Sequence, residues 1–250
     1  MPVAVELTII LVAIGLGSFV KGVTGSGLPQ VAIPVMAVFL GVERAVVLMA
    51  LPGVVANGWL LWRYRSHLRT TRDLPVLLAT GIVGAILGTV GLRALDAAVL
   101  SLVLAGSVGL YLVLVLSRVE IDLPPGVTRV TSPAVGFVAG ALQGATGMSA
   151  PLLTTYFHAL RLHKYVYIVS LVTLFQVFAL TQMVTLFRIG LYTDTRFVES
   201  VIALVPVMLV VPLGARLTDR LSGRGFDTWV LLLLAGSAAK LLYDGIVGLT

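Results

Sequence analysis

Along this chain, long runs of Val, Ile, Leu, Ala and Gly are broken by short polar stretches. The runs are continuously apolar rather than alternating, which excludes the ten-residue in–out strands of an outer-membrane barrel. Runs of this kind predict helices that live in hydrocarbon. Ten segments follow from the breaks: 3–20, 26–40, 45–62, 74–92, 97–116, 131–142, 147–160, 165–187, 197–215 and 226–249. The only long polar stretch, SRVEIDLPPGVTR from Ser117, supplies a linker over 118–130 and divides the chain into 1–117 and 131–250.

The two parts carry an internal repeat. Lys21-Gly22-Val23-Thr24-Gly25-Ser26-Gly27-Leu28-Pro29 aligns with Gln143-Gly144-Ala145-Thr146-Gly147-Met148-Ser149-Ala150-Pro151 at an offset of 122 (143 minus 21). Gly91, Arg93 and Asp96 align with Gly214, Arg216 and Asp219 at an offset of 123 (214 minus 91). The middle segments match weakly. Each part holds five of the ten segments, an odd number, so the second is expected to be inverted relative to the first.

Basic residues give the sidedness. Alternating loops collect Arg63, Arg65, Arg69, Arg72, Arg118, Arg129, Arg161, Lys164, Arg216, Arg220 and Arg224 on one side. The other side collects Arg44, Arg93, Arg188 and Arg196. Eleven against four places the first group in the cytoplasm and both termini outside it. The first segment lacks a basic n-region, so it reads as a membrane segment rather than a cleaved signal peptide.

Composition agrees. Hydrophobic residues make up 58% of the chain and charged ones 11%, against about 25% charged in soluble domains. That excludes a very apolar soluble enzyme. The net charge of +6 sits in short loops between apolar runs, so the expected partner is the lipid bilayer and not nucleic acid. No cysteine is present, which rules out disulfides, zinc–thiolate sites and iron–sulfur clusters. Nothing resembles a catalytic triad, a P-loop or a metal-ligand cluster. The expectation is therefore a non-enzyme without cofactor or metal, driven by a gradient or by a partner. A homo-oligomer is compatible with the sequence.

The segments flanking the repeated motifs, 26–40, 131–142 and 147–160, have 12 to 15 residues. At about 1.5 Å per residue each reaches roughly 20 Å, short of a hydrocarbon core about 30 Å thick. They predict two helical hairpins, 3–40 and 131–160, that enter the membrane from opposite faces. The tips, 21–27 and 143–149, would meet near the midplane. Glycines let such tips turn and expose N–H groups, and each following helix aims its positive end at the gap. Thr24, Ser26, Thr146 and Ser149 add hydroxyls, and Lys21 adds a cation that is expensive at that depth. Together with the backbones of Gly22, Gly25, Gly27, Gly144 and Gly147, and with Gln143 opposite, they describe a site for a small anion. Interrupted segments at matching positions of inverted halves suit a secondary transporter that rocks its halves about a midplane site.

Blander roles stand beside this one. The glycines also suit close helix packing, and Lys21 suits an interfacial anchor. Pro29, Pro34, Pro133 and Pro151 suit helix starts or kinks. Arg93 with Asp96, and Arg216 with Asp219, read as structural ion pairs. Asn57 and Gln176 either face the cavity or pack by hydrogen bonding. His158 reads as structural and Glu199 as interfacial. Trp59, Trp62, Tyr64 and Tyr243 suit an aromatic belt. A passive anion channel and a non-transporting membrane scaffold are the rival functional readings.

GLGSFVKGVTGSGLPQVAIPVM (15–36), GFVAGALQGATGMSAPLLTTYF (136–157) and GLRALD (91–96) resemble the motifs of the TauE/SafE family of sulfite exporters. The resemblance covers most of the chain. It implies transport of small sulfur-containing anions, such as sulfite or organosulfonates, across a bacterial inner membrane, without choosing substrate or direction. The halves differ in one respect: Lys21 is matched by the neutral Gln143.

Overall fold

A computed structural model describes residues 2–24, 27–67, 70–117, 127–221 and 224–249, with the side chains of Thr24, His67, Ala215, 217–221 and 224–228 excepted. The described residues are helical and form no strand. The helices are α1 (Val3–Thr24), α2 (Leu28–Leu40), α3 (Val42–Arg63), α4 (Leu74–Ala94), α5 (Ala97–Ser117), α6 (Thr128–Thr146), α7 (Ala150–Ala159), α8 (Lys164–Arg188), α9 (Asp194–Ile202), α10 (Leu204–Leu221) and α11 (Arg224–Leu249). Seven stretches among them are long and apolar enough to cross a bilayer: α1, α3, α4, α5, α8, α9 with α10, and α11. The 13 residues of α2 and the 10 of α7 are not long enough; they reach about 20 Å and about 15 Å. Lipid-facing side chains are apolar and bare, with Leu209 68% and Trp229 75% exposed.

Three details differ from the sequence reading. First, the helices run through most of the repeated motif instead of turning in it. α1 continues to Thr24 and α6 to Thr146, and the breaks fall later, at Gly27 (φ 103°) and Gly147 (φ 70°). Both are left-handed conformations that only glycine adopts cheaply. Gly147 N–H returns to Gln143 O at 2.8 Å and closes the end of α6. Second, the segment expected at 197–215 is two helices broken at Ala203. Pro206 has no N–H to give the Ile202 carbonyl, and its ring crowds that carbonyl. Third, Arg93 does not pair with Asp96. Its guanidinium donates to the backbone carbonyl of Ile189, because the end of α4 lies against the end of α8. The partner expected for Arg216, Asp219, has its side chain outside the described residues.

Contacts fix which ends lie together. Arg44 at the start of α3 pairs with Glu6 near the start of α1 and with Glu199 of α9, both at 2.7 Å. Arg196 pairs with Glu43 at 2.8 Å. So α1 begins where α2 ends, and these two form a hairpin whose open end lies there and whose turn, at Gly27, points into the bundle. The four residues Arg44, Arg93, Arg188 and Arg196 gather there. The second hairpin has its open end at the opposite end of the bundle, where Ser132 of α6 meets the Tyr156 hydroxyl of α7 at 2.8 Å. At that end Arg65 covers the exposed ring of Trp62, and His158 meets the Tyr167 hydroxyl at 3.3 Å.

Packing pairs α4 with α6, α1 with α10, α5 with α11 and α3 with α8. The α4–α6 contact is a glycine seam. A Cβ added at Gly140 would stand 2.0 Å from Gly81 O, at Gly84 2.1 Å from Phe137 O, and at Gly144 2.3 Å from Ala85 O. Lipid tails are as apolar as the helices, so this backbone-to-backbone approach supplies the attraction by van der Waals contact. Gly214 of α10 approaches α1 in the same way, its Cβ position lying 2.7 Å from Phe19 O.

The seam gives a paired test. Gly140→Ala forces α4 and α6 apart and is expected to destabilise by about 1–3 kcal/mol, the usual cost of overpacking. Gly106→Ala on α5, where nothing lies within 4 Å, is expected to be neutral or to stabilise by up to about 1 kcal/mol through helix propensity. Thermal unfolding of both variants in detergent checks the contrast.

Candidate functional site

The two hairpin tips meet at one internal cavity of about 360 Å³, which opens between α3 and α8. From the first hairpin come Lys21, Gly27 and Gln30. From the second come Gln143, Gly147 and Ser149. Asn57 of α3 and Gln182 of α8 add further amides, and Tyr64, Thr154 and Tyr167 add hydroxyls. Cavity positions recur every three or four residues along α3 and α8, as one face of a helix requires. They run down to Tyr64 and Tyr167, near the end of the bundle where α6 begins and α7 ends.

Local structure places each group. Gly27 and Gly147 end one helix and release the next, so the first residues of α2 and α7 border the cavity. An N-terminal end carries unpaired N–H groups and a positive partial charge. Lys21 occupies the last turn of α1 and is 9% exposed. No carboxylate among the described residues lies within ion-pair distance of it. Its surroundings are the amides named above and the apolar side chains of α3 and α8. Gln30 is 3% exposed, and its Oε1 has no hydrogen-bond partner among the described residues.

Gln143 is tied on three sides. Its Oε1 accepts from the Ser149 hydroxyl at 2.8 Å, and its Nε2 donates to Gln182 Oε1 at 3.3 Å. Gln182 Nε2 in turn donates to the backbone carbonyls of Gln143 at 2.8 Å and Gly144 at 3.1 Å.

Of the expected site residues, the structure gathers Lys21, Gly27, Gln143, Gly147 and Ser149 at the cavity, with Asn57. Others lie elsewhere. Gly22 faces Gly214 of α10, and Gly144 faces α4 across the seam. Thr146 is fully buried and gives its hydroxyl proton to Leu142 O at 2.7 Å. Gln176 lies against Gly58 of α3 and does not border the cavity. The Thr24 side chain, Gly25 and Ser26 lie outside the described residues. Gln30 and Gln182 were not expected. Helical phase could have found Gln182: it continues the cavity positions Leu171, Phe175 and Ala179, whereas Gln176 is one residue out of step.

Membrane-crossing helices enclosing a cavity at the meeting point of two broken hairpins define a multi-pass membrane protein with a transporter's architecture. The chain belongs to the sulfite exporter TauE/SafE family, which it matches over residues 9–241. It is thereby a member of a family of membrane transporters. No curated protein and no solved structure matches it.

A buried cation without a carboxylate costs stability while the cavity is empty. Lys21→Met, which keeps the stem and removes the charge, is expected to raise stability by roughly 1 kcal/mol, about 2–4 °C in Tm for a chain of this size. Thermal unfolding in anion-free detergent buffer measures it; an unchanged or lowered Tm shows that the charge is already compensated.

Proposed function

We propose that the protein is a secondary transporter that carries small sulfur-containing anions, sulfite or organosulfonates, across a bacterial inner membrane. One observation carries this reading: the tips of both hairpins converge on a cavity whose cation, Lys21, lacks a carboxylate partner among the described residues. The anion supplies the missing negative charge. The starts of α2 and α7 and the free N–H of Gln143 give directed hydrogen bonds to its oxygens. Such bonds to a charged group contribute about 1.5–3 kcal/mol each.

The halves are inverted repeats in this reading. α1 against α10 corresponds to α6 against α4, while α5 with α11 and α3 with α8 correspond to themselves. That exchange is the pattern a two-fold axis in the membrane plane produces. The end bearing Arg63, Arg65 and Lys164 faces the cytoplasm, and both termini are extracytoplasmic. The cavity then leads toward the cytoplasm past Tyr64 and Tyr167. At the far end the ion pairs of Arg44 with Glu199 and of Arg196 with Glu43 bridge the two halves, and Arg44 with Glu6 ties α3 to α1 within the first. A conformation closed outside and approachable from inside supports a carrier working by alternating access rather than an open pore.

Uptake of sulfite into proteoliposomes tests the activity. Wild-type protein is expected to show saturable uptake and counterflow, and Lys21→Ala to lower uptake by about 10-fold or more, the loss of one charged hydrogen bond. Transport that persists unchanged in Lys21→Ala removes the lysine from the site, and non-saturating flux makes the protein a channel.

The cysteine-free chain also permits a test of access. Met49→Cys, in the cavity wall, is expected to react with a membrane-impermeant maleimide from the cytoplasmic side alone. Adding Arg44→Ala is expected to expose it from outside as well. Labelling confined to the outer face would reverse the orientation.

A further inference from the structure

We propose that Gln182 is the positioning residue of this site: it neutralises the carbonyl end of α6 and orients Gln143 toward the bound anion. The proposal rests on the reading of the cavity as an anion site.

The reasoning starts from a conflict. α6 terminates at the cavity, and the last carbonyls of a helix lack intrahelical partners and carry negative partial charge. Carbonyls left bare beside the cavity would repel the anion that Lys21 attracts. The structure covers two of them, those of Gln143 and Gly144. Gly147 N–H takes Gln143 O at 2.8 Å. Gln182 Nε2 takes the same carbonyl at 2.8 Å and Gly144 O at 3.1 Å. Gln182 comes from a different helix, α8, and is 1% exposed.

These two contacts also determine the direction of every hydrogen bond that follows. A carbonyl only accepts, so the Gln182 nitrogen must face α6 and both its protons are used there. Its oxygen must then accept, and it does so from Gln143 Nε2 at 3.3 Å. Gln143 Oε1 accepts the Ser149 proton at 2.8 Å. Among the described residues one N–H of Gln143 is left over, and Gln143 lines the cavity with Lys21. The relay turns an amide that could present either end into one that presents a donor. It also commits the Ser149 proton, so that hydroxyl orients Gln143 and does not donate to the anion.

The test is a mutant cycle on sulfite uptake in proteoliposomes, with sulfite-dependent thermal shift as a second readout. Gln182→Met keeps the volume and removes the hydrogen bonds. Its KM for sulfite is expected to rise about 10-fold, one charged hydrogen bond's worth, with a smaller change in kcat. Gln182→Glu, isosteric but unable to donate to the two carbonyls, is expected to lose the sulfite-dependent shift. Should the Met variant fail to fold, the Glu variant carries the same measurements. The combination Gln143→Ala with Gln182→Met is expected to lose clearly less than the product of the two single penalties, because the orienting part of the Gln182 effect passes through Gln143 and only its cover of the α6 carbonyls remains to be lost.

An unchanged KM in Gln182→Met, or penalties that multiply in the double variant, overturns the proposal. Lys21→Met separates that failure from a failure of the underlying reading. If Lys21→Met abolishes uptake while Gln182→Met does not affect it, only the positioning role falls. If wild-type protein takes up neither sulfite nor methanesulfonate, the anion site falls and the positioning role with it.

Discussion

Hydrocarbon offers a backbone amide nothing to bond with, and each unsatisfied group there costs several kcal/mol. That constraint organises this molecule. A helix end that water does not reach must be enclosed by protein, and α1 and α6 give way to α2 and α7 beside the cavity, at Gly27 and Gly147. The short helices released at those points are accordingly the most enclosed elements. Leu28, Ala32, Ile33 and Met36 of α2 are fully buried, as are Leu153 and Phe157 of α7. The long helices, α4, α5, α10 and α11, carry the bare apolar surface instead. The cavity exists because the two interruptions face each other, and its chemistry follows from what an interruption leaves behind: free N–H groups on one strand of the break and spare carbonyls on the other.

Glycine serves two opposed purposes in the repeated motifs, and they separate by position. Gly27 and Gly147 take left-handed conformations and make the turns. Gly144, inside its helix, lies where another backbone comes too close for a Cβ, and the backbone of Gly22 is one that Gly214 of α10 approaches in the same way. The interior glycines therefore hold α1 against α10 and α6 against α4, and so fix where the turns sit. A motif that reads as one flexible loop is a packed helix end followed by a single hinge residue. Lys21 and Gln143, at matching positions just before the turns, reach the cavity because the packing glycines hold their helices in place.

Much of this was legible in the sequence for a physical reason: burial in lipid leaves long apolar runs, and an interruption in such a run has to be bounded by Gly or Pro. The helical class, the two hairpins, and the arrival of Lys21, Gln143, Gly147 and Ser149 at one cavity follow from that. The extent of α6 was not legible, because glycine in a strip of sequence reads as a turn and its packing role depends on α4, a distant partner. The break at Ala203 depended on the N–H missing from Pro206, hidden in a run that is otherwise uniformly apolar. Arg93 looked to its neighbour Asp96, yet the geometry gave it a carbonyl on another helix. Gln182 and Gln176 are alike as letters; only the phase of α8 tells which faces the cavity.

The glycine seam has a mechanical corollary. α4 belongs to the first stretch of the chain and α6 to the second, yet their backbones touch, with no side-chain layer between them to slide or repack. The same holds in weaker form for α1 and α10. Any motion that leaves these contacts whole must carry each hairpin along with a helix from the opposite stretch. Bodies that moved in that way would be interleaved along the chain, each stitched from both stretches, and the polar linker that divides the sequence would not mark the axis about which they turned.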